Sequence, residues 1–397
     1  MSGPLDGVRV LDLTNTVLGP LATQTLGDMG ADVWKVESPA GDPMRGVGPS
    51  RNPGMGSYFL SLNRNKRSIV LDLKHPAARP AVERMIERAD VLVATVRPRA
   101  LERLGIGYEA ARAINPRIIY CNAVGYRQDG RYAPRPAYDD LIQGASGLAM
   151  LFAGSGDAPR YVPLAVADRT VGLATAGAIA MALYHRERTG QGQQVEVPMF
   201  ETMAQLVMSE HQYGRYFEPP LGTTGYPRML DPNRKPYPTR DGFVSALVYT
   251  DAHWHRFFEL VGSPEMGRDS RYATIERRTE HIGELYAFVA EQIARMSTAE
   301  AVQRLEEADI PVAPVHTPDT VLADPHIADV GFFQPVEHPS EGTIRPPGIA
   351  TRWSASAPEV RRHAPRLGEH TRELLHELGF AHADVEAIVT SGAAIAP

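Results

Sequence analysis

Short apolar runs alternate with amphipathic stretches through the first third of the chain. The pattern begins with an apolar run over residues 8–13, a loop over 14–20, a helical stretch over 21–30 and a second apolar run over 31–37. Pro20 suits the first turn of that helix, and Gly30 suits its C-terminal exit. This is the pattern of a β-α-β unit, and it repeats as far as residue 126. It predicts a large, doubly wound α/β domain that binds ligands at the carboxyl ends of its strands.

The pattern changes in the middle of the chain. A helix predicted over about 201–216 is followed by residues 219–242, which hold many Pro and Gly residues without a regular period. Such a stretch is typical of a linker or a binding loop. Beyond it, an apolar run over 242–250 predicts a strand, and helices are expected over 251–262 and after a cap at Ser297. We therefore expect a smaller α+β domain after the break.

Composition and charge narrow the class of partner. The chain has 397 residues, enough for two domains, and a formal net charge of −6 without a basic tail. Neither a nucleic acid nor a membrane surface is expected as the main partner. Cys121, the single cysteine, lies in an apolar run that predicts a buried strand. Because no intrachain disulfide can form, we expect a reducing compartment, the cytoplasm.

Several familiar sites are disfavoured by the residues present. The most apolar segment, residues 171–184, is shorter than the roughly 18 residues that a membrane span needs. After the first strand, bulky Val17 and Leu18 stand where a dinucleotide-binding loop needs glycines. The histidines have no partners at metal-ligand spacing, so no metal site is expected. Neither a G-x-S-x-G elbow nor a P-loop occurs in the sequence.

One acidic residue stands out at the start of a long helix rich in small side chains. Asp168 follows an apolar approach and precedes the helical stretch that continues to about residue 189. As a helix cap, its carboxylate would accept hydrogen bonds from the free amides of the first turn. As a nucleophile, the same carboxylate would be held ionised and directed out of the helix end. The local sequence leaves both interpretations open.

Six motifs in order resemble the class III CoA-transferases, the family of formyl-CoA and carnitine CoA-transferases that also includes the α-methylacyl-CoA racemases. They are PLDGVRVLDLTNTVLGPLATQTLGDMGADVWKVESPAGDPMR, NRNKRSIVLDLK, NPRIIYCNAVGY, APRPAYDDLIQGASGL, VADRTVG with RERTGQGQQVEV, and APRLGEHTRELLHELGF. The resemblance implies a large Rossmann-like domain built from both ends of the chain, a small middle domain and an interlocked homodimer. The implied divisions are 1–218 and 316–397 for the large domain with its return linker, 219–242 for the linker, and 243–315 for the small domain.

The resemblance also implies catalytic residues. The Asp of the VAD motif, Asp168, is expected to attack the thioester of an acyl-CoA donor and then to carry CoA to a carboxylic acid acceptor. Asp139 matches an acidic position near the reacting carboxyls, and Tyr138 precedes it. Racemases of the family have a His in place of Tyr138, and a tyrosine is a poor base at neutral pH. A transferase is therefore favoured over two alternatives, an acyl-CoA racemase and a non-catalytic CoA-ester binding protein.

Expected CoA contacts follow from the same resemblance, with no metal and no cofactor beyond the CoA of the substrates. The implied contacts are Val17, Leu18, Leu71, Lys74, Thr95, Val96, Arg97, Arg103 and Arg135. Some relatives have Gln at the position of Val17 and Arg at that of Ser38, and the glycine-rich loop of the formyl-CoA and oxalate enzymes is absent. The loop over 222–240 carries Tyr226, Arg228, Arg234 and Lys235, which could meet a substrate carboxylate or form an exposed charged loop.

Overall fold

The computed structural model describes residues 3–153 and 158–397. Two compact units are formed by the chain. The first unit contains residues 1–146, 161–205 and 329–397, and the second contains residues 147–160 and 206–328.

The strands and α-helices have the following bounds. The strands are β1 (Arg9–Leu13), β2 (Asp32–Glu37), β3 (Lys66–Leu71), β4 (Val91–Ala94), β5 (Ile119–Val124), β6 (Gln193–Pro198), β7 (Tyr237–Pro238), β8 (Phe243–Ala246), β9 (Val312–Pro314), β10 (Val336–His338), β11 (Gly342–Ile344) and β12 (Ala394–Ile395). The helices are α1 (Leu18–Asp28), α2 (Ser57–Leu60), α3 (Arg79–Arg88), α4 (Pro98–Arg103), α5 (Tyr108–Ile114), α6 (Asp139–Ala145), α7 (Leu148–Leu151), α8 (Val166–Thr189), α9 (Met199–His211), α10 (Pro227–Leu230), α11 (Asp251–Leu260), α12 (Ile275–Glu280), α13 (Ile282–Ile293), α14 (Thr298–Glu307), α15 (Pro318–Val321), α16 (Pro325–Asp329), α17 (Thr371–Glu377) and α18 (His382–Thr390).

A seven-stranded sheet in the order β12-β3-β2-β1-β4-β5-β6 forms the centre of the first unit. Neighbouring strands are parallel throughout, except that β12 runs antiparallel to β3. The predicted α/β fold with a large parallel sheet is therefore confirmed. The strand order reverses between β1 and β4, so loops at the carboxyl ends of these two strands flank the topological switch point. Strand β12 was not predicted, because two residues are too short to show a period.

Helices cover both faces of this sheet. Because side chains alternate along a strand, Leu11 and Leu13 lie on one face of β1 and Asp12 on the other. The two leucines join a core that includes buried residues of α3, α5, α17 and α18. On the opposite face, the Asp12 carboxylate accepts a hydrogen bond of 2.6 Å from Thr23 of α1, and α8 packs against α1. The sheet is thus wound on both sides.

Helix bounds differ from the sequence-based expectations in a few places. Helix α1 begins at Leu18, three residues before the predicted start, and α9 spans Met199–His211 where about 201–216 was expected. Gly30 has a φ of 110° after α1, as a helix exit that favours glycine requires. Helix α8 has 24 residues, and by length and composition it could cross a membrane. Its buried residues nevertheless pack within the first unit, as those of a core helix do.

The second unit contains a three-stranded antiparallel sheet, in the order β7-β8-β9, with helices beside it. Its core includes Trp254, Phe257 and Phe258, which α11 presents on one side as its apolar spacing predicts. The Ser297 hydroxyl accepts a hydrogen bond of 3.1 Å from the Glu300 amide, so the predicted cap of α14 is confirmed. Within 219–242, the short elements α10 and β7 were not predicted, because the Pro/Gly-rich sequence has no period to indicate them.

Candidate active site

Asp168 lies in the first turn of α8 but does not cap it. The helix begins at Val166, its N-cap residue is Ala165, and no side chain of that residue caps the helix. Asp168 is therefore the third helical residue. The interpretation of Asp168 as the helix cap is wrong, because two helical residues stand between it and the N-cap.

A second carboxylate, that of Asp139, is hydrogen bonded to the start of α8. The Asp168 amide donates a hydrogen bond of 3.0 Å to Oδ1 of Asp139. Gln143, which is fully buried, donates from Nε2 to Oδ2 of Asp139 at 2.6 Å and accepts from the Val162 amide at 2.8 Å. Asp139 is thereby held between α6 and α8, 29 positions from Asp168 in the sequence. The structure brings together two of the three predicted catalytic residues.

The Asp168 carboxyl is a weaker acid than an ordinary aspartate. Burial is the main cause, and the neighbouring Asp139 carboxylate adds to it, so the pKa of Asp168 is raised to about 6, while Arg169 acts in the opposite direction. The effect of burial therefore makes the ionised form less favourable than at an exposed helix end. At pH 7 the group is still about nine-tenths ionised. It is a more basic, less hydrated oxygen nucleophile than an exposed aspartate.

The β1–α1 loop is adjacent to the first turns of α8 through a close helix contact. A Cβ atom added to Gly172 of α8 would lie 2.7 Å from the backbone oxygen of Leu18, so only glycine permits this approach. Val17 and Leu18, two of the predicted CoA contacts, are buried at the start of α1. The Leu18 backbone therefore lies against α8 one helical turn beyond Asp168.

Buried ion pairs that the sequence reasoning missed fix the conformation of this loop. Thr16 has a φ of 69°, which is costly for a residue other than glycine. Its amide donates to Oδ1 of Asp42 at 3.2 Å, and Lys35 donates to Oδ2 of Asp42 at 2.9 Å and to the Thr14 carbonyl at 3.0 Å. The available signal was a lysine inside the apolar run of β2, since a buried lysine requires a partner.

A second buried pair holds the first turn of α1. The Lys66 ammonium lies 3.2 Å from the Asp12 carboxylate and donates to the Pro20 carbonyl at 2.9 Å. Burial lowers the pKa of Lys66 to about 8, against the opposing effect of Asp12. The lysine of each pair lies on a strand, Lys35 on β2 and Lys66 on β3, so the loop at the switch point is supported by the sheet.

The other predicted CoA contacts lie at the end of β3 or follow β3, β4 and β5 in the chain. Thr95, after β4, accepts a hydrogen bond of 3.4 Å from the Asn15 amide, which joins the two loops at the switch point. Val96 is half-buried, Lys74, Arg97 and Arg103 are exposed, and Leu71 is buried in the core. Arg135 is exposed and stacks on Tyr132 at 3.8 Å from the ring centroid. Among the described residues, no hydrogen bond or ion pair joins Lys74, Arg103 or Arg135 to Asp168.

Tyr138, the third predicted catalytic residue, precedes α6 and is 70% exposed. Its side chain makes no capping hydrogen bond to that helix. Within residues 3–153 and 158–397, no group of three or more His, Cys, Asp or Glu side chains is placed to hold a metal ion.

Comparison with known proteins identifies the kind of enzyme. Residues 5–371 match CoA-transferase family III. The chain belongs to this family. It is 33% identical to a succinate–glutarate CoA-transferase of Agrobacterium fabrum, over 94% of this chain and 96% of that protein. It is 32% identical to a succinyl-CoA:glutarate CoA-transferase of Mus musculus, over 98% and 90% of the two chains.

Solved structures agree with this assignment. The fold is similar to that of Rv3272 from M. tuberculosis, with a TM-score of 0.82 and 31% identity over 94% of this chain and 99% of that one. A CAIB/BAIF family protein from Brucella suis gives a TM-score of 0.80 and 30% identity, over 95% and 100% of the two chains. The chain is a CoA-transferase, which moves CoA from an acyl-CoA to a free carboxylic acid, as its sequence motifs predicted.

Proposed function

We propose that the transfer runs through a covalent intermediate on Asp168. The carboxylate oxygen attacks the thioester carbonyl, the C–S bond breaks, and CoA leaves as a thiolate from a mixed anhydride. The thiolate attacks the Asp168 carbonyl carbon and expels the donor acid, giving an aspartyl-CoA thioester. The acceptor carboxylate then attacks that thioester, and the returning thiolate attacks the acceptor carbonyl to release the new acyl-CoA.

The observation that supports this proposal most directly is the raised pKa of Asp168. A carboxylate freed of water and placed beside a second carboxylate is a stronger nucleophile, and a dry site protects the anhydride from hydrolysis. Asp139 is proposed to orient the start of α8 and to raise the basicity of Asp168. Tyr138 is proposed to contact the substrate from its exposed position.

The nature of the acids is proposed from the relatives. Glutarate and succinate occur in the names of the relatives from Agrobacterium fabrum and Mus musculus, and both acids carry two carboxyl groups. We propose dicarboxylic acids as substrates. CoA is proposed to bind at the carboxyl edge of the sheet through the nine residues implied by the resemblance, with no metal or further cofactor. We also propose a cytoplasmic location and a division of the chain into a large domain (1–218 and 316–397), a linker (219–242) and a small domain (243–315).

A homodimer is also proposed, as the family resemblance implies. Helix α8 exposes large apolar side chains on its surface: Leu173 is 58% exposed, Met181 74% and Tyr184 65%. An exposed apolar face of this kind supports the proposal that α8 contacts another protein chain. A second copy of this chain is the partner that the resemblance implies.

Chemical trapping tests the covalent intermediate. Hydroxylamine added with succinyl-CoA should convert Asp168 to a hydroxamate, which peptide mass spectrometry detects. Asp168→Ala should abolish both trapping and transfer, whereas Asp140→Asn, a change of the exposed neighbour of Asp139, should retain both. Full transfer by Asp168→Ala would overturn the proposal. Exchange of the α-proton for deuterium without an acceptor acid would instead indicate a racemase.

A further inference from the structure

One arginine next to the proposed nucleophile lacks a partner among the described residues. Arg169 follows Asp168 as the fourth residue of α8. Its side chain is half-buried, and its Nε atom is buried without a hydrogen-bond partner. Within residues 3–153 and 158–397, its guanidinium forms neither an ion pair nor a hydrogen bond. Buried charges are normally paired, so this cation requires an explanation.

The more deeply buried arginines that the structure describes all have partners. Ion pairs with carboxylates are formed by Arg45, Arg67, Arg186 and Arg278. Arg228 donates a hydrogen bond of 3.2 Å to the Tyr286 hydroxyl. Arg186 is the closest comparison, because its Nε also lacks a partner. Its Nη2 nevertheless donates to Asp90 at 2.9 Å, whereas no carboxylate of the described residues accepts from Arg169.

The two nearby carboxylates of the site do not neutralise this cation. Asp139 accepts from the Asp168 amide through Oδ1 and from Gln143 through Oδ2. Consecutive side chains on a helix do not face each other, so Asp168 is not placed as an ion-pair partner of Arg169. The charge of Arg169 nevertheless opposes the larger effect of burial on the pKa of Asp168. The cation therefore acts on the reacting carboxyl without being bound to it.

We propose that Arg169 binds one carboxylate of a dicarboxylic acid while the other carboxyl of that acid reacts at Asp168. This inference rests on the proposed function, because that function supplies both the acid and the nucleophile. The carboxylate that attacks the aspartyl-CoA thioester must be free to react, so the one held in an ion pair is the second. A monocarboxylic acid lacks this group.

The spacing of two consecutive residues suits short diacids. The two carboxyl carbons of extended succinate or glutarate lie about 4–5 Å apart, and consecutive Cα atoms are about 3.8 Å apart. The guanidinium of Arg169 offers five donors in a planar fork that matches the two oxygens of a carboxylate. The acyl group of succinyl-CoA carries the same second carboxylate, so Arg169 serves donor and acceptor acids alike.

A phosphate of CoA presents similar oxygen chemistry, but the position of Arg169 favours a carboxylate. The thioester carbonyl must lie against Asp168 during the transfer, and the whole pantetheine arm separates that carbonyl from the nearest phosphate. A side chain one residue along the helix therefore meets the acyl part of the substrate. Inhibition by adenosine 3′,5′-bisphosphate distinguishes the two sources.

The experiment measures transfer of CoA from succinyl-CoA to glutarate and to butyrate by the full-length protein. The pH is 8, well above the pKa of about 6 of Asp168. We compare the wild type with Arg169→Gln, Arg169→Lys and a control, Arg112→Gln. Arg112 is 60% exposed at its side chain and lies 3.8 Å from Glu109, so its loss removes an exposed cation of the same unit. Arg169→Lys retains the charge and serves if the Gln variant does not fold.

The deciding quantity is the ratio of kcat/KM for glutarate to kcat/KM for butyrate. We expect this ratio to fall at least about 10-fold in Arg169→Gln, less in Arg169→Lys and not at all in Arg112→Gln. A general disturbance of Asp168 would lower both rates and leave the ratio unchanged.

Three results would overturn the inference. The first is a wild type that uses butyrate as readily as glutarate. The second is a ratio that survives in Arg169→Gln, even if the acidic limb of the pH profile moves, since Arg169 then only tunes the pKa of Asp168. The third is a loss of inhibition by the bisphosphate in Arg169→Gln with the ratio unchanged, which would assign Arg169 to a phosphate.

Trapping of the wild type with hydroxylamine and succinyl-CoA separates this inference from the proposed function. If Asp168 is trapped while the ratio is unchanged in Arg169→Gln, only the assignment of Arg169 fails. If the ratio depends on Arg169 but Asp168 is not trapped, the covalent mechanism fails and the carboxylate contact stands.

Discussion

Asp168 combines two properties that oppose each other, because the burial that makes its carboxylate reactive also makes the ionised form costly. Its pKa rises to about 6 in the fold from an ordinary value of 3.8. A group whose pKa is raised on folding stabilises the protein below its unfolded value and loses that contribution as the pH rises through the folded value. Asp168 should therefore lower stability at neutral pH.

We expect Asp168→Asn to be more stable than the wild type at pH 8. The free energy of unfolding should rise by about 1–2 kcal/mol. A pKa shift of one unit corresponds to about 1.4 kcal/mol, and the partial exposure of Asp168 reduces the full effect. At pH 5 the gain should shrink by about 1 kcal/mol, because the wild-type carboxyl is then largely protonated. Urea unfolding of both proteins at pH 5 and pH 8 measures the difference in their free energy of unfolding. A variant less stable than the wild type at pH 8 would contradict the burial argument.

The neighbouring carboxylate offers a second prediction at the residue scale. Asp139→Asn removes a negative charge but retains an oxygen that can accept from the Asp168 amide. The pKa of Asp168 should fall, so the acidic limb of the pH profile of kcat/KM should move to lower pH. Asp140→Asn, on the exposed side of α6, is the matched control and should leave the limb in place. Equal profiles for the two variants would mean that Asp139 does not tune Asp168.

At the scale of elements, the contact between α1 and α8 depends on Gly172. Gly172→Ala places a methyl group 2.7 Å from the Leu18 oxygen and should destabilise the protein by about 1–3 kcal/mol, with a loss of transfer activity. Gly177, in the same helix, has nothing within 4 Å of an added Cβ. Gly177→Ala should therefore stabilise by up to about 1 kcal/mol. Thermal unfolding and transfer rates are measured for both variants. Equal changes in stability for Gly172→Ala and Gly177→Ala would contradict the close packing of α1 against α8 at Gly172.

The buried pair below the β1–α1 loop gives a further prediction. Asp42→Asn removes the carboxylate to which the buried Lys35 ammonium donates, and the loss of stability should be about 3 kcal/mol. The KM for acyl-CoA should rise about 10-fold or more, since Thr16 and its neighbours lose their support. In the control, Glu83→Gln breaks an exposed pair with Arg79 and should cost less than about 1 kcal/mol. A loss of stability in Asp42→Asn no larger than that in Glu83→Gln would contradict the role assigned to the Lys35–Asp42 pair.

At the scale of the whole molecule, the sequence predicted those features that depend on local periodicity. Strand β4 is apolar and buried along its whole length, and Ser297 caps α14 as its position indicates. The contact between Asp139 and Asp168 could not be derived from any period, since it depends on how α6 and α8 pack. The contacts of Arg228 with Tyr249 and Tyr286, which come from distant segments, likewise appear only in the fold.

The central claim is that oxygen atoms of Asp168 exchange with those of the substrates. In the proposed sequence, the donor acid leaves with an oxygen of Asp168, and the acceptor acid leaves one of its own behind. A single turnover with an acceptor acid labelled with ¹⁸O in its carboxyl groups tests this directly, by peptide mass spectrometry of the segment that contains Asp168. The account predicts one heavy oxygen in the Asp168 carboxyl. Complete transfer of CoA with an unlabelled Asp168 would contradict it.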